Sequence, residues 1–335
     1  MHPSISSHTL TFCRERTGET AMTVTTRRTD GGSGGGGNSD SHGTPPLRRQ
    51  LPRMLLVAVL YFLAGQLSFS LSVSHGVVTM VVFMAEGVSL AAAVLWGPRI
   101  WPGIFVGQFF LAASQGLSWP LAAGIACVNS LEAVIGVSLF RRLKLRPDLS
   151  SLRDIALLLS IIVAVLQPIS ATGGVLLLWN AGLIGFDDID TNWLSWWIGN
   201  SIGQLMVAPM LLATAALDMG RRIQRLRLLE VAGLALFSCG LALLGPELSK
   251  MRFGLWLAEG MMIVIAIRHG LLGATFATMI QAVFMIQLSR AGMGPFSGHT
   301  GVSELNFFLL RLIFIGQFVA LVFVERRQEE RKMRL

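Results

Sequence analysis

Ionisable side chains inside long apolar segments are the residues of this sequence best suited to chemistry. Glu86, Glu132, Glu259 and Arg311 each interrupt such a segment. A charged group at membrane depth costs about 2.5–3.5 kcal/mol on insertion scales, so each of them is expected to have a partner or a role. We predict that Arg311 forms a structural ion pair with one of these glutamates across a helix bundle, and we assign it to Glu259. The remaining carboxyl groups are then in surplus over buried cations.

Neutral polar residues accompany these charges at helical spacing. Asn200 and Gln204 are one turn apart and therefore share a helix face. Asn129 lies one turn before a glutamate, and Gln167 precedes Pro168. A proline inside a span kinks the helix and frees a backbone carbonyl. Because no water satisfies polar groups at membrane depth, such residues are expected to face the interior of a bundle.

The predicted ligand-binding or signal-sensing set combines these buried polar groups with one tryptophan. Its members are Glu86, Asn129, Glu132, Gln167, Trp197, Asn200 and Gln204. Two interpretations stay open. In the first, the residues are structural and hold the helices in register through hydrogen bonds. In the second, they form a site for a ligand, a proton or an ion, because intramembrane charge marks functional sites.

Motifs of catalysis and metal binding are missing from the sequence. It contains no H-E-x-x-H, G-x-S-x-G or P-loop pattern. The cysteines Cys13, Cys127 and Cys239 are far apart and form no metal-binding pair. We therefore expect no enzyme activity, no metal site and no cofactor.

Composition places the chain among integral membrane proteins. Of its 335 residues, 53% are hydrophobic and 14% are charged, whereas soluble domains carry about 25% charged residues. A net charge of +8 is also typical of proteins that bind nucleic acid. The basic residues, however, form short clusters between apolar runs, and no nucleic-acid-binding motif accompanies them. We predict membrane lipid as a partner and exclude nucleic acid.

The apolar runs predict an all-α polytopic transmembrane bundle with about eight to ten spans. The runs cover 54–72, 77–96, 100–115, 120–140, 154–179, 193–216, 228–245, 252–268, 270–290 and 304–324. If the N-terminus is inside, the basic connections 141–146 and 221–227 fall on one side, and the acidic segment 187–190 falls on the other. Basic loops stay cytoplasmic, so the alternation predicts that both termini are inside.

The chain is predicted to have three parts. Residues 1–53 are polar and rich in Gly, Ser and Thr, which indicates a disordered cytoplasmic tail. Residues 54–327 form the membrane domain, and residues 328–335 form a short basic cytoplasmic tail.

Several blocks of the sequence, in order, resemble the bacterial membrane-associated sensor family (MASE, its first class). They are Tyr61-Phe-Leu-Ala-Gly65, Leu95-Trp-Gly-Pro-Arg-Ile-Trp-Pro-Gly-Ile-Phe-Val-Gly107, Asn129-Ser-Leu-Glu-Ala133, Trp196-Trp-Ile-Gly-Asn-Ser-Ile-Gly203 with Val207-Ala-Pro209, and Val324-Glu-Arg-Arg327. The sequence departs from the family at Phe83-Met84, where many members have Trp-Pro, and at Asn200, where they often have Asp. The second departure removes a titratable carboxylate.

The resemblance implies a signal-sensing module of the bacterial inner membrane, of the kind found ahead of histidine kinases, diguanylate cyclases or phosphodiesterases. Because no output domain follows the matched blocks, we expect a stand-alone module that acts through a membrane or cytoplasmic signalling partner, with a homodimer as a further expectation. The competing interpretation is a transporter or channel, in which the same residues line a path for small solutes or ions. A pure scaffold, in which they affect only stability, is a third.

Overall fold

The computed structural model describes residues 47–71, 82–217, 221–243, 253–296 and 301–333, and all regular elements in these ranges are helical. The prediction of an all-α bundle is therefore confirmed. The helices are α1 (Leu47–Ser70), α2 (Ala85–Trp96), α3 (Trp101–Ser114), α4 (Trp119–Arg142), α5 (Leu152–Ile161), α6 (Gln167–Asn180), α7 (Ile189–Ala215), α8 (Arg221–Leu243), α9 (Phe253–Arg290) and α10 (Gly301–Met333). A π-helical turn, Ile162–Leu166, joins α5 to α6, and 3-10 turns cover Pro98–Ile100 and Phe186–Asp188.

Each predicted span overlaps a helix, but the helices are less uniform in length than predicted. Within the described ranges, six stretches are long and apolar enough to cross a membrane: Gln50–Ser70, Trp119–Arg142, Leu152–Asn180, Phe186–Ala215, Gly254–Arg290 and Val302–Glu330. The helices α2 and α3 have 12 and 14 residues, whereas a full crossing takes about 20. The protein is thus a multi-pass membrane protein with both long and short apolar helices.

The first helix begins earlier than the predicted boundary of the N-terminal tail. Residues 47–53 belong to α1, which starts at Leu47 and contains Pro52 within its first two turns. Gln50 in this stretch is already buried, so packing against the bundle extends the helix beyond the apolar run. The rest of the predicted disordered tail, residues 1–46, lies outside the described residues.

Glycines allow the close helix contacts on which the centre of the bundle depends. The backbone N–H of Phe83 donates to the Gly199 carbonyl of α7 at 2.9 Å. A Cβ atom at Gly203 would overlap the Phe83 carbonyl oxygen, and one at Gly103 would overlap the Met54 carbonyl oxygen of α1. These contacts bring backbone against backbone, as small residues do between membrane helices. The start of α2 is thereby fixed against the middle of α7.

The α5–α6 element carries the distortion that Pro168 predicts. At the end of the π turn, the N–H of Gln167 donates to the Ile162 carbonyl, five residues back. The next residue, Pro168, has no N–H, so no backbone N–H of the same helix is left to donate to the Val163 carbonyl. The indole Nε1 of Trp197 on α7 donates to that carbonyl at 2.9 Å. A side chain from a neighbouring helix thus satisfies the carbonyl that the proline leaves without a backbone donor.

The helix α9 is broken at Gly270, whose φ of 67° and ψ of −159° lie outside the helical region. A positive φ is accessible to glycine at little cost because it has no Cβ atom. The break separates two helical arms, 253–269 and 271–290, which correspond to the two spans predicted there. The carbonyl groups in the last turn before the break receive no hydrogen bond from the backbone N–H groups of the first arm.

Contacts between helix ends show which connecting segments lie at each end of the bundle. At one end, Arg146 pairs with Asp154 at 3.0 Å, and the Leu152 N–H donates to Glu325. Arg327 donates to the Ile267 carbonyl at the same end. At the other end, Gln66 of α1 donates to Ser114 of α3, and Arg290 donates to the Ser70 carbonyl. The basic connections at 141–146 and 268–270 therefore lie at the same end of the bundle as the end of α10.

Candidate functional site

Five of the predicted site residues meet at the centre of the bundle. Glu86 comes from α2, Asn129 and Glu132 from α4, Gln167 from α6 and Gln204 from α7. Asn129 is 1% exposed, and the other four are 0% exposed. Polar side chains on apolar spans turn inward because the bilayer offers them no hydrogen-bonding partner. Helix packing therefore brings residues that are far apart in sequence into one buried group.

Gln204 joins the two glutamate-bearing helices. Its amide nitrogen donates to Glu132 Oε1 at 3.0 Å and to the Glu86 backbone carbonyl at 3.4 Å. Its amide oxygen accepts from Gln167 Nε2 at 2.7 Å. Gln167 Nε2 also donates to Glu132 Oε1 at 3.0 Å. One carboxylate oxygen of Glu132 thus accepts from two amides on two different helices.

A second series of hydrogen bonds reaches the other glutamate. The Tyr61 hydroxyl donates to Glu86 Oε1 at 2.7 Å, and Asn129 Nδ2 donates to the Tyr61 oxygen at 3.1 Å. Ser170 donates to Asn129 Oδ1 at 3.3 Å. Ser89 donates to Glu86 Oε2 at 3.2 Å. We call these eight residues the polar cluster: Tyr61, Glu86, Ser89, Asn129, Glu132, Gln167, Ser170 and Gln204. The Trp196 indole bonds to the cluster from outside by donating to Ser170 at 3.2 Å.

The polar cluster has an excess of negative charge and of hydrogen-bond acceptors. In the described part of the chain, no Lys, Arg or His side chain forms an ion pair with Glu86 or Glu132. Glu132 Oε2 and Gln167 Oε1 are buried without a hydrogen-bond donor. An unsatisfied buried polar atom costs about 1–3 kcal/mol, and more when the group is charged. The arrangement is therefore suited to receive a proton, a cation or a donor group.

Two predicted site residues lie outside the hydrogen bonds of the polar cluster. Trp197 is bonded to the Val163 carbonyl of the π turn, so its contact is with the backbone of the α5–α6 element. Asn200 is 5% exposed, and its Nδ2 has no hydrogen-bond partner among the described residues. The i,i+4 spacing places the Cβ atoms of Asn200 and Gln204 about 5–6 Å apart on the same helix face. It therefore lies beside the polar cluster without being bonded to it.

Arg311 and Glu259 meet at a separate place. Arg311 Nε donates to Glu259 Oε1 at 2.7 Å, which joins α10 to the first arm of α9. The Arg311 side chain is 52% exposed and that of Glu259 is 17% exposed. The pair therefore lies at the outer face of the bundle, apart from the surplus glutamates.

Tyr61, Ser89 and Ser170 are members of the polar cluster that sequence analysis did not select as site residues. Tyr61 is the only tyrosine in the chain and stands inside an apolar run, which was an available signal. Tyrosine is also common at membrane interfaces, where it needs no buried partner. The serines gave no signal, because serine occurs throughout the interiors of membrane helices.

Metal coordination finds no support in the described ranges, where no three His, Cys, Asp or Glu side chains are grouped closely enough to hold an ion. The neutral donors of the polar cluster are amides and hydroxyls, and its anionic groups are the two glutamates. This chemistry favours proton or hydrogen-bond exchange over a transition metal, which prefers imidazole or thiolate ligands.

Comparisons with known proteins address the whole membrane region. The family model MASE1 matches residues 53–332, which include every member of the polar cluster and, apart from the first six residues of α1, the helices that carry them. No curated protein and no solved structure matches the chain. The match begins one residue before the predicted membrane domain and extends to the last residue but one of α10. The chain therefore belongs to the MASE1 family of membrane-associated sensory domains.

Proposed function

We propose that the protein is a sensory membrane module in which the polar cluster receives a positively charged signal, in the simplest case a proton. The module has no enzyme activity of its own in this proposal. The helix α10 passes the resulting change to a signalling partner protein, in the membrane or the cytoplasm, or to a second copy of the chain. Family membership supports the sensory role.

The observation that carries the proposal is the presence of two unsatisfied acceptors within the polar cluster. Glu132 Oε2 and Gln167 Oε1 both lack a donor, although their two residues are already bonded to each other. A proton on Glu132 Oε2 turns an acceptor into a donor and removes a buried negative charge, which is costly in a low-dielectric interior. A proton, unlike a small-molecule ligand, can bind at this buried position without a cavity.

The titratable groups that face this site are few. Tyr61 on α1, Glu86 on α2 and Glu132 on α4 belong to the polar cluster, while α6 and α7 contribute only amides and a serine hydroxyl to it. A change in the charge of Glu132 alters its bonds to Gln167 and Gln204, because both amides donate to the same oxygen. Protonation would thereby change contacts between α4, α6 and α7.

Infrared difference spectroscopy of the full chain in lipid nanodiscs tests the proposal. A pH step should produce the carbonyl-stretch band of a hydrogen-bonded carboxylic acid, because with the proton on Glu132 Oε2 the carbonyl oxygen is Oε1, which accepts from both Gln167 and Gln204. The variant Glu132→Gln should lose the band, and the control variant Glu230→Gln, at a partly exposed residue of α8, should keep it. A pH step without such a band, or a band that survives in both Glu132→Gln and Glu86→Gln, would overturn the proposal.

The rival function is a transporter or channel for small solutes or ions, in which the polar cluster lines a path. Flux through the reconstituted protein separates the two functions. Vesicles that contain the protein should not pass protons or small solutes faster than empty vesicles. Sustained flux that depends on Glu132 would favour transport instead.

The proposal also includes an orientation in the bacterial inner membrane. The end of the bundle that holds the connection 141–146 and the end of α10 is basic in sequence, so we place it in the cytoplasm. Single cysteines in the connection 141–146 should react with a membrane-impermeant maleimide only in inverted vesicles. Reaction in intact cells would reverse the orientation.

A further inference from the structure

The helix α10 leaves the bundle beside the ends of two other helices. Glu325 Oε1 accepts from the backbone N–H of Leu152, the first residue of α5, at 2.7 Å. Two residues later, Arg327 Nη2 donates to the Ile267 carbonyl at 3.2 Å, in the last turn before the break in α9. We call these two bonds the exit contacts, and we call residues 325–333 of α10 the extension.

The exit contacts match charge to helix polarity. The first N–H groups of a helix are unpaired and carry partial positive charge, and the last carbonyls are unpaired and carry partial negative charge. The carboxylate of Glu325 meets a helix start, and the guanidinium of Arg327 meets a helix end. Exchanging the two charges would set each against a like partial charge. The extension is therefore held in one defined position at the membrane exit.

The start of α5 is built to accept this bond. Ser151 caps it by accepting from the Asp154 N–H at 3.2 Å, so Glu325 takes a different one of the unpaired N–H groups. Asp154 also pairs with Arg146, and this hydrogen-bonded carboxylate raises the pKa of the Arg146 guanidinium above its ordinary value. The preceding loop is thus fixed to the same turn. The helix start that Glu325 contacts is therefore bonded both to its own cap and to the preceding loop.

A continuous helical element connects this turn to the polar cluster. The helix α5 and the π turn run from Leu152 to Gln167 over roughly 22 Å at 1.5 Å per residue. Gln167, the first residue of α6 after the π turn, donates to both Glu132 and Gln204. A rearrangement of the polar cluster that moves Gln167 therefore acts on the element whose other end is bonded to Glu325.

A second bond fixes α10 beside the polar cluster. Gln317, 2% exposed, donates through Nε2 to the Leu205 carbonyl at 2.7 Å. This carbonyl has no helical donor because Pro209, four residues later, lacks an N–H. Leu205 is adjacent to Gln204 of the polar cluster. The helix α10 is therefore bonded to α7 at the level of the site and to α5 at the membrane exit.

We infer that Glu325 and Arg327 are the positioning residues that couple the polar cluster to the extension of α10, by holding it against α5 and α9 until a change at Gln167 shifts α5. The signal that starts this coupling is the one in the proposed function, so this part of the inference rests on that proposal. The exit contacts are observed bonds and are independent of it. Release or displacement of the extension is the output that a partner protein would detect.

Hydrogen–deuterium exchange of the full chain in nanodiscs tests the exit contacts first. At fixed pH, Glu325→Ala and Arg327→Ala should each speed exchange in residues 325–333 by about five- to thirty-fold, the range expected for losing one such bond. The controls Glu329→Ala and Arg326→Ala remove the same charges at exposed positions of the extension. Arg326 loses only an exposed i,i+4 pair with Glu330, which contributes little to stability, so both controls should stay near wild type. Glu325→Gln keeps a carbonyl acceptor for the Leu152 N–H and should fall between wild type and Glu325→Ala.

The coupling is tested by combining an exit variant with a variant of the polar cluster. Glu132→Gln should change exchange in the extension of the otherwise native chain and should lose that effect in the Glu325→Ala background. An equal effect in both backgrounds, or no effect in either, would overturn the inference. If the infrared band of the proposed site is present in these same samples, such a result leaves the proposed function standing. If the band is absent while Glu325→Ala still releases the extension, the proposed function fails and the exit contacts stand.

Discussion

The indole Nε1 of Trp197 lies 2.9 Å from the Val163 carbonyl oxygen, which is the carbonyl that Pro168 leaves without a helical donor. This bond joins the middle of α7 to the π turn that precedes Gln167. It fixes the distorted element at the point where it enters the polar cluster. Trp197 therefore acts on the site through the backbone of a neighbouring helix.

Replacing this indole should destabilise the protein measurably. Trp197→Phe keeps an aromatic ring but leaves the Val163 carbonyl unpaired, which should lower the free energy of unfolding by about 1–3 kcal/mol. Unfolding in mixed micelles measures the change. The matched control is Trp193→Phe, because Trp193 Nε1 donates to Thr172 at an exposed position. Equal losses in the two variants would contradict a special role for the Val163 bond.

Gly203 is expected to tolerate no larger side chain. A methyl group there would overlap the Phe83 carbonyl and disturb the Phe83–Gly199 bond, so Gly203→Ala should cost about 1–3 kcal/mol in overpacking. Gly233 of α8 is the control, because a Cβ atom there meets nothing within 4 Å. Gly233→Ala should be neutral or stabilise by up to about 1 kcal/mol through helix propensity. Thermal unfolding of both variants decides; a neutral Gly203→Ala would refute the close contact.

Gly270 tests the backbone break in α9. With φ at 67° and ψ at −159°, Gly270 lies in a region that essentially only glycine adopts, so Gly270→Ala should cost about 1–3 kcal/mol, although the side chain itself would meet nothing within 4 Å. Gly260, a helical position in the same element that is equally open, is the control. Alanine at residue 260 should not destabilise. If both alanine variants unfold alike, α9 is continuous at residue 270.

The pair of Arg311 and Glu259 is expected to depend on both charges. Arg311→Gln leaves Glu259 without its charged partner and should cost about 1–3 kcal/mol, as loss of a hydrogen bond to a charged group does. The double exchange Glu259→Arg with Arg311→Glu restores opposite charges and should recover most of that loss. Unfolding of both single variants and the double variant measures the coupling. Additive losses would show that the two side chains do not depend on each other.

Much of the polar cluster was predictable from sequence for one physical reason. A polar side chain in an apolar span has to face the protein interior, so Glu86, Asn129, Glu132, Gln167 and Gln204 were selected without knowledge of the packing. Asn200 was selected by the same rule. It is buried as expected, but sequence spacing could not show that its neighbours leave its Nδ2 without an acceptor. The functional role of the set remains a prediction.

Long-range contacts were not predictable from sequence. Pro168 indicated that a carbonyl would be freed, but the π turn and the donor from Trp197 depend on how α7 packs against it. Residues 152 and 325 are 173 positions apart, and no local pattern pairs them. The break at Gly270 appeared in the sequence as a boundary between two spans. The left-handed backbone that forms it depends on tertiary structure.

Tyr61 donates to Glu86 and accepts from Asn129, and the chain contains no other tyrosine. Biosynthetic replacement by fluorotyrosine would therefore give a single ¹⁹F NMR resonance, placed at the buried network itself. The chemical shift of that nucleus would report rearrangement of the polar cluster in unmodified lipid. No cysteine or dye would have to be introduced.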